Sequence, residues 1–593
     1  MPHTFHIPVL GLGYSVDTPL KVARYGISSV LSIVDDELIE RIREYHTNKL
    51  NLVFSPIPKS SADSRATRIT TYLNFLSDAI TNQIAELKNQ AFEAGNDICR
   101  YFELLPEGAG LKNGYELMMD YPEGEHKARF QQVLRNQIKL GAIDVNIMAK
   151  VDKMNFVENE FTGDDNTDAL AALRGFAKSK LSSSVILSAG MNPRLYSYLA
   201  QFEDFFPDES GKMKKKIILK VSDFRSALIQ AKFLAKKGLW VSEFRIESGL
   251  NCGGHAFATE GYLLGPILEE FKVKREELLE ELFALYQPAL QQKDLHLKGL
   301  PKQRITVQGG IGTAEENQFL IQHYGLDATG WGSPFLLVPE VTNVDDNTLN
   351  SLAKAGESDF YLSNSSPLGI QFNYFKNSSI EDERLTRIER NRPGSACTKK
   401  LLCNNTEFTA QAICTASREY QHLKIKQLES MGLSAEEFKQ QFEVVTEKIC
   451  LCEGLCSSTY LKCEISKPKE SKAVAICPGP NLAYFSGIYS LEQMVGHIYG
   501  RLNLLEKVER PHFFVKELRL YIDYLQGELQ QLCNNITDKK KKQLNHFKLQ
   551  LSEGISYYKR LFNDISEGAD QNFKSIQEQL SLYKERLDRL QVD

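Results

Sequence analysis

Three glycine-rich stretches and a run of cysteines carry the residue types in this chain that could do chemistry. In Glu247-Ser248-Gly249-Leu250-Asn251-Cys252-Gly253-Gly254-His255 a histidine stands directly after a Gly-Gly pair. Histidine titrates near neutral pH, so His255 can take a proton from an acidic C–H or hold a substrate oxygen. Its blander use is as a structural histidine. Gln308-Gly309-Gly310-Ile311-Gly312 and Gly330-Trp331-Gly332-Ser333-Pro334-Phe335 are the other two stretches. Glycine admits positive φ and lets backbone N–H groups come close to a ligand. Two such loops, each opening a helix, can hold a phosphate through N–H groups and the helix dipole. Tight turns are the plainer reading.

Eight of the eleven cysteines fall between Cys397 and Cys477. Cys450-x-Cys452-x-x-x-Cys456 is followed by Cys463, with Cys397, Cys403 and Cys414 upstream. Thiolates in such numbers suit zinc or an iron–sulfur cluster. Cys397, Cys414, Cys450 and Cys452 are the favoured ligands, because each sits in a polar, turn-like context beside glycine or basic residues; Cys456 is the alternate. The spacing is neither a paired Cys-x-x-Cys nor a ferredoxin run. Buried thiols acting as small apolar side chains are therefore the competing reading.

The elements that must position these residues alternate. Apolar, β-branched runs at 6–11, 27–34, 143–148, 184–188, 216–221, 241–247, 304–308 and 328–331 read as strands, with helical period between most of them. Strands alternating with helices imply right-handed βαβ units and a parallel sheet. Eight of them fit an α/β fold of the closed (β/α)8 barrel kind, where chemistry sits at the C-terminal strand ends and a phosphate binds after strands seven and eight. The glycine loops lie at such ends. The expected organisation is a barrel over 1–358 with a helical insertion at about 60–140, a cysteine-rich region over 359–485, and a helical domain over 486–593. Within the last, 515–532 and 573–590 read as amphipathic helices.

At 593 residues the chain exceeds one hydrophobic core. A hydrophobic fraction of 42% and a charged fraction of 25% are globular values, which excludes a mostly disordered chain. Lys plus Arg is 71 against Asp plus Glu 76, a net charge of −5, without the basic excess of a dedicated nucleic-acid binder. Lys214-Lys215-Lys216 and Lys539 to Lys542 are the local exceptions. No apolar run is long enough to span a membrane, and the first residues lack a signal-peptide pattern. A cytoplasmic protein with reduced cysteines is expected.

The chain resembles the nitronate monooxygenase group, formerly called 2-nitropropane dioxygenases. That group consists of FMN-dependent barrels and includes flavin enoyl reductases, among them the reductase subunit of polyunsaturated fatty-acid synthases. The resemblance spans roughly residues 5–375. It rests on the Ile7-Pro8-Val9 opening followed by a helix and the 27–33 strand, on Gly253-Gly254-His255, on Gly309-Gly310-Ile311 and on Gly332-Ser333-Pro334-Phe335. The resemblance implies that Gly309, Gly310, Gly332 and Ser333 cradle an FMN phosphate, and that Asn146 and Lys220 approach the flavin ring or ribityl chain. It implies too that Gly11 and Gly13 let the first loop pass under the ring, and that His255 acts as acid or base beside it. A cation such as Lys220 near the flavin would stabilise the reduced, anionic ring. Two departures, Asn251-Cys252 before the Gly-Gly-His and Gly11-Leu12-Gly13-Tyr14 in the first loop, sit where a substrate would lie.

The resulting expectation is an FMN-dependent oxidoreductase, oxidising a small activated carbon acid or reducing an enoyl thioester on a carrier protein. A 4Fe-4S cluster would serve beside the flavin, an electron donor or carrier would be the partner, and a homo-oligomer is compatible. The alternative is a barrel scaffold whose cysteine and helical regions bind RNA or protein.

Overall fold

The computed structural model describes residues 2–148, 152–157, 160–188, 190–297, 299–531, 537–565 and 571–592. Eight strands close into a parallel barrel: β1 (Phe5–Ile7), β2 (Ser28–Ser32), β3 (Ile143–Ile147), β4 (Ser183–Leu187), β5 (Lys215–Val221), β6 (Val241–Glu247), β7 (Arg304–Gln308) and β8 (Ala328–Gly330). Each pairs with its sequence neighbours, and β8 closes on β1 with Phe5 opposite Thr329. The apolar runs are buried on both faces, as a sheet covered outside by helices and filled inside by side chains requires.

Alternation along the strands sorts the lumen from the outer wall. On β6, Phe244 and Ile246 are fully buried in the main apolar core, while Glu243, Arg245 and Glu247 take the alternate positions. The lower lumen is charged. Arg245 bonds Glu243 at 2.7 Å and Asp144 of β3 at 3.5 Å, and Arg304 reaches Glu243 at 3.0 Å. Burial opposes the Glu243 charge, but the two guanidiniums hold its carboxyl down at about 2. For Asp144 burial wins and its carboxyl is pushed up. Above this layer Val30, Ile186 and Ile218 form a small apolar plug, with Val9 packed against it. One further step along the strands brings Asn146, Lys220, Glu247 and Gln308 to the open end.

Helices Ser64–Asn89, Asp97–Glu103, Gly110–Asp120 and Glu125–Gln137 fill the long connection between β2 and β3. After the barrel an antiparallel hairpin, β9 (Phe360–Ser363) and β10 (Phe372–Phe375), is followed by helices that include Leu451–Lys462. The weak periodicity over this stretch does not mark irregular chain. In Leu451–Lys462 nearly every residue from Leu451 to Tyr460 is buried, so no polar face exists to set a period. The C-terminal helices are Phe513–Gln531, Asp538–Ile565 and Gln571–Arg589; Leu532, the expected end of the first, lies outside the described residues. One apolar core joins residues from Phe5 to Leu587. Lys215 of the 214–216 triplet is buried under the barrel, where its ammonium donates to Ser179 Oγ at 2.7 Å and to the Leu181 carbonyl at 2.6 Å. Desolvation lowers its pKa to about 7. That triplet is therefore not a three-charge surface patch.

Candidate active site

A cavity of about 570 Å³ opens at the C-terminal ends of the strands. Gly11, Asn146, Lys220, Gly253, Gly254, His255, Gly309, Gly310, Gly332 and Ser333 all line it. Ten sequence positions spread over more than 300 residues are thus brought together because each lies at, or just beyond, a strand end of one closed barrel. The size is within the range of cofactor sites.

The floor is a hydrogen-bonded row. Lys220 Nζ stands 3.0 Å from Glu247 Oε2, Gln308 Nε2 donates to Glu247 Oε1 at 2.5 Å, and His6 Nε2 donates to Gln308 Oε1 at 3.3 Å. Burial, with Arg245 below, holds His6 well under its ordinary pKa, so its ring is neutral. Glu247 partly compensates the Lys220 charge. The two occupy strand-end positions on neighbouring strands, at the same level of the lumen.

The phosphate-type loops close one side. Gly309 has φ +116° and Gly310 φ +79°. A Cβ on Gly310 would meet Asn251 Nδ2 at 1.9 Å, and one on Gly309 the Cys252 sulfur at 2.7 Å, so both positions are closed to larger residues. Ser333 Oγ accepts a hydrogen bond from the Gly479 N–H at 2.7 Å, which leaves its own O–H to donate. Two buried polar atoms of the cavity-lining residues, Ser188 Oγ and Asn251 Oδ1, make no hydrogen bond within the protein. Such atoms cost free energy unless a bound group or water satisfies them.

His255 is placed by the hairpin outside the barrel. Its residue bridges Phe372 of β10, the Ala256 N–H donates to the Gln371 carbonyl at 2.9 Å, and Asn373 Nδ2 donates to the Cys252 carbonyl at 2.7 Å. The loop after β6 becomes in effect an extra strand on β9–β10. The imidazole packs edge-on to Phe372, with ring centroids 4.9 Å apart, and its Nε2 is 2.7 Å from Ser366 Oγ. Ser366 is fully buried, so the hydroxyl fixes the ring orientation.

Gly13 is a correction. It does not line the cavity: its N–H donates to the Leu455 carbonyl at 3.2 Å, and an added Cβ would lie 2.4 Å from Thr459 Oγ1. Its smallness admits the helix Leu451–Lys462 to the first loop, a close approach between segments that sequence spacing does not register.

The cysteines gather next to the cavity. Cys397, Cys414 and Ala416 form a buried cluster with Cys403 at its margin, and Cys397 Sγ is 3.9 Å from Cys403 Sγ. Cys452 lines the cavity wall together with Leu401, Leu402, Leu451 and Leu455. Cys456 turns away, 3.5 Å from Asp35 Oδ2 beside the buried Asp35–Lys399 ion pair. Among the described residues no group of three or more His, Cys, Asp or Glu side chains is arranged to hold a metal ion.

Several parts of the site have no mark in the sequence motifs. The segment Cys477–Asn481 straps the loops: the Gly254 N–H donates to the Cys477 carbonyl at 3.0 Å and Asn481 Nδ2 to the Ile311 carbonyl at 2.9 Å. Arg510 donates to the Gly310 carbonyl at 2.5 Å, Glu316 Oε1 at 2.6 Å and Asn481 Oδ1 at 2.9 Å. Glu517 accepts from Ser248 Oγ at 2.5 Å, the Leu264 N–H at 2.9 Å and Tyr558 OH at 3.3 Å. Burial lifts its carboxyl to about 7. Glu247 and Gln308 had a legible signal, since each is the last strand residue before a glycine loop. Arg510 and Glu517 had none.

No family model matches the chain, and no curated protein matches it. Among solved structures, the enoyl reductase domain of MlnA from the macrolactin biosynthesis cluster of Bacillus amyloliquefaciens is similar at 15% identity and a TM-score of 0.33, over 72% of this chain and 94% of that one. A likeness of that degree carries no functional argument, and the barrel stands on its own strand pairing.

Proposed function

We propose that the chain is an FMN-dependent oxidoreductase acting on a small or carrier-bound organic substrate. The observation that carries this reading is the juxtaposition, in one cavity, of the Gly309-Gly310 and Gly332-Ser333 loops with His255 and Lys220. The residues present fit such a group. Left-handed Gly309 and Gly310 and the Ser333 hydroxyl offer donors for a phosphate. Ser188 Oγ and Asn251 Oδ1 are buried polar atoms with no partner in the protein, ready for the polar edges of a ligand. Asn146 and Lys220 supply an amide and a cation at the floor.

When bound, FMN supplies two-electron redox chemistry. The chain's own residues do the rest. Lys220, paired with Glu247 at 3.0 Å, puts an ammonium at the cavity floor, a donor suited to a ligand that becomes more negative on reduction. His255, oriented by Ser366 and Phe372, is placed to move a proton or hold a substrate oxygen at the cavity wall. Leu401, Leu402, Leu451 and Leu455 give the same cavity an apolar stretch of wall that disfavours water. Carrier-borne enoyl thioesters and small carbon acids are both compatible with a cavity lined by leucines and one histidine.

The test is an absorbance spectrum of the purified full-length protein, with chromatography of what acid releases. Flavin bands and about one FMN per chain, the one-site stoichiometry of this fold's phosphate loops, are expected. A colourless protein that takes up no FMN when it is added would overturn the proposal.

A further inference from the structure

A second cavity, of about 420 Å³, lies between the β9–β10 hairpin and the helix Phe513–Gln531. That volume is within the range of small-molecule sites. Among the described residues it shares no lining side chain with the first cavity. The partition between the two is one strand thick. Phe372 of β10 faces the first cavity, while Gln371 and Asn373 on either side of it face the second, as the two-residue period of a strand requires. The His255 loop and the strap alternate likewise: Leu250 and Pro480 line the second cavity, Asn251 and Asn481 the first. The partition also carries the His255 loop. Asn373 Nδ2 donates to the Cys252 carbonyl at 2.7 Å, and the Ala256 N–H donates to the Gln371 carbonyl at 2.9 Å.

The helix side of the second cavity is charged and unevenly compensated. Lys516 and Arg519, three residues apart on one helix, both reach Glu357, at 3.0 Å and 2.7 Å. Two cations therefore share one carboxylate. The other acidic lining residues are engaged elsewhere: Asp523 pairs with Arg586 and Glu528 with Lys540, each at 2.7 Å. One positive charge is left over at the cavity wall. Lys516 is 5% exposed, and burial, with Arg519 beside it, works against its charge. An added anion would offset both effects.

The same helix leaves room for the rest of a ligand. Gly527 lines the cavity, and a Cβ there would meet no described atom within 4 Å beyond its own helix backbone and chain neighbours. Packing within the chain does not call for glycine at this point, and glycine in a helix interior is less stable than alanine. The missing side chain keeps the space open. Phe360, Tyr361, Leu520 and Tyr524 make the surface around it apolar and ring-bearing. We propose that this cavity is a second binding site, for a carboxylate carried on a ring-sized apolar body, and that its occupant bears on the His255 loop through the shared strand. Lys516 and Arg519 would take the carboxylate, and the space over Gly527 would take the body. The site stands independently of the flavin reading.

The test uses the full-length protein with 2-naphthoate as the probe, 2-naphthamide as the uncharged control and inorganic phosphate as the anion without a body. Calorimetric titration should give saturable binding of 2-naphthoate, with both controls at least about tenfold weaker, the worth of one charge-assisted contact. Gly527→Leu fills the space with a better helix former, so it should melt no lower than the parent and lose the binding. Arg519→Gln should weaken binding by about tenfold or more. Added 2-naphthoate should slow hydrogen exchange at residues 250–256 and 371–373 in the parent and leave it unchanged in Gly527→Leu. Affinity retained in both variants would overturn the site and move the probe to the first cavity. Equal binding of the amide would overturn the carboxylate assignment. Binding without slower exchange at 250–256 would overturn the link to His255. None of these readouts uses flavin, so a colourless protein would sink the proposed function and leave this test intact.

Discussion

Glu517 shows how far burial can carry a side chain from what its type suggests. It is fully buried, reaches from the C-terminal helix Phe513–Gln531 to Ser248 at the edge of the cavity, and has its carboxyl lifted from 4.5 to about 7 by desolvation. A carboxyl raised in the folded state contributes stability that is complete below about 4.5 and is lost as pH rises through about 7, amounting to about 3 kcal/mol once both states are ionised. Glu517→Gln keeps the shape and removes the titration. Denaturant unfolding of the variant and the parent should therefore diverge between pH 5 and pH 8, with the variant gaining relative stability toward the alkaline end. Parallel curves across that window would show that Glu517 does not titrate there.

At the scale of elements, loops that look alike in sequence do different work. Gly11 and Gly13 stand two residues apart, yet one lines the cavity and the other admits the helix Leu451–Lys462. Gly13→Ala should cost about 1–3 kcal/mol by overpacking against Thr459 and Leu455, seen as a lower melting temperature. FMN bound per folded chain should be unchanged; a selective loss of FMN would return Gly13 to the cavity. Arg510 makes the complementary case. It joins the Gly309–Gly312 loop to Glu316, in the first turn of the helix Ala314–Tyr324, and to the Cys477–Asn481 strap. Arg510 and Glu316 are both about 5% exposed, so Arg510→Ala strands a buried carboxylate and should cost about 3–5 kcal/mol. Arg510→Lys cannot reproduce the three-way fork and should recover little of it in the same melts.

Across the whole molecule, the barrel does not make its site alone. The hairpin β9–β10 carries the His255 loop, the Cys477–Asn481 strap ties three strand-end loops, and Arg510 and Glu517 brace two of them from the C-terminal helices. Phe513, Phe514, Leu518 and Ile522 are fully buried in the same core as the barrel helices. Tyr558 packs so closely on Gly265 that a Cβ there would lie 2.3 Å from its ring. A chain cut after residue 500 would expose this apolar surface. It should be recovered as aggregate, whereas the full chain stays monodisperse by size-exclusion chromatography. A soluble, cooperatively melting fragment of residues 1–500 would show that the helices are an appendage.

What was legible in the sequence was whatever depends on local period and local backbone freedom. Eight apolar runs of strand length, separated by helical period, specify a parallel closed barrel, because such strands must be buried on both faces and their connections are right-handed. Once the barrel is granted, His255, Gly309, Gly310, Gly332 and Lys220 fall at strand ends, and strand ends of a barrel share one rim. The rest was decided by tertiary structure. The ion pair of Lys220 with Glu247 depends on which strands are neighbours and in what register. The Ser366 contact that orients His255 spans 111 residues, and the Arg510 contact with Gly310 spans 200. The local period of Leu451–Lys462 was erased by burial on all sides. Contacts of this kind are chosen by how whole layers pack, and packing is a property of the folded chain that no short stretch of sequence encodes.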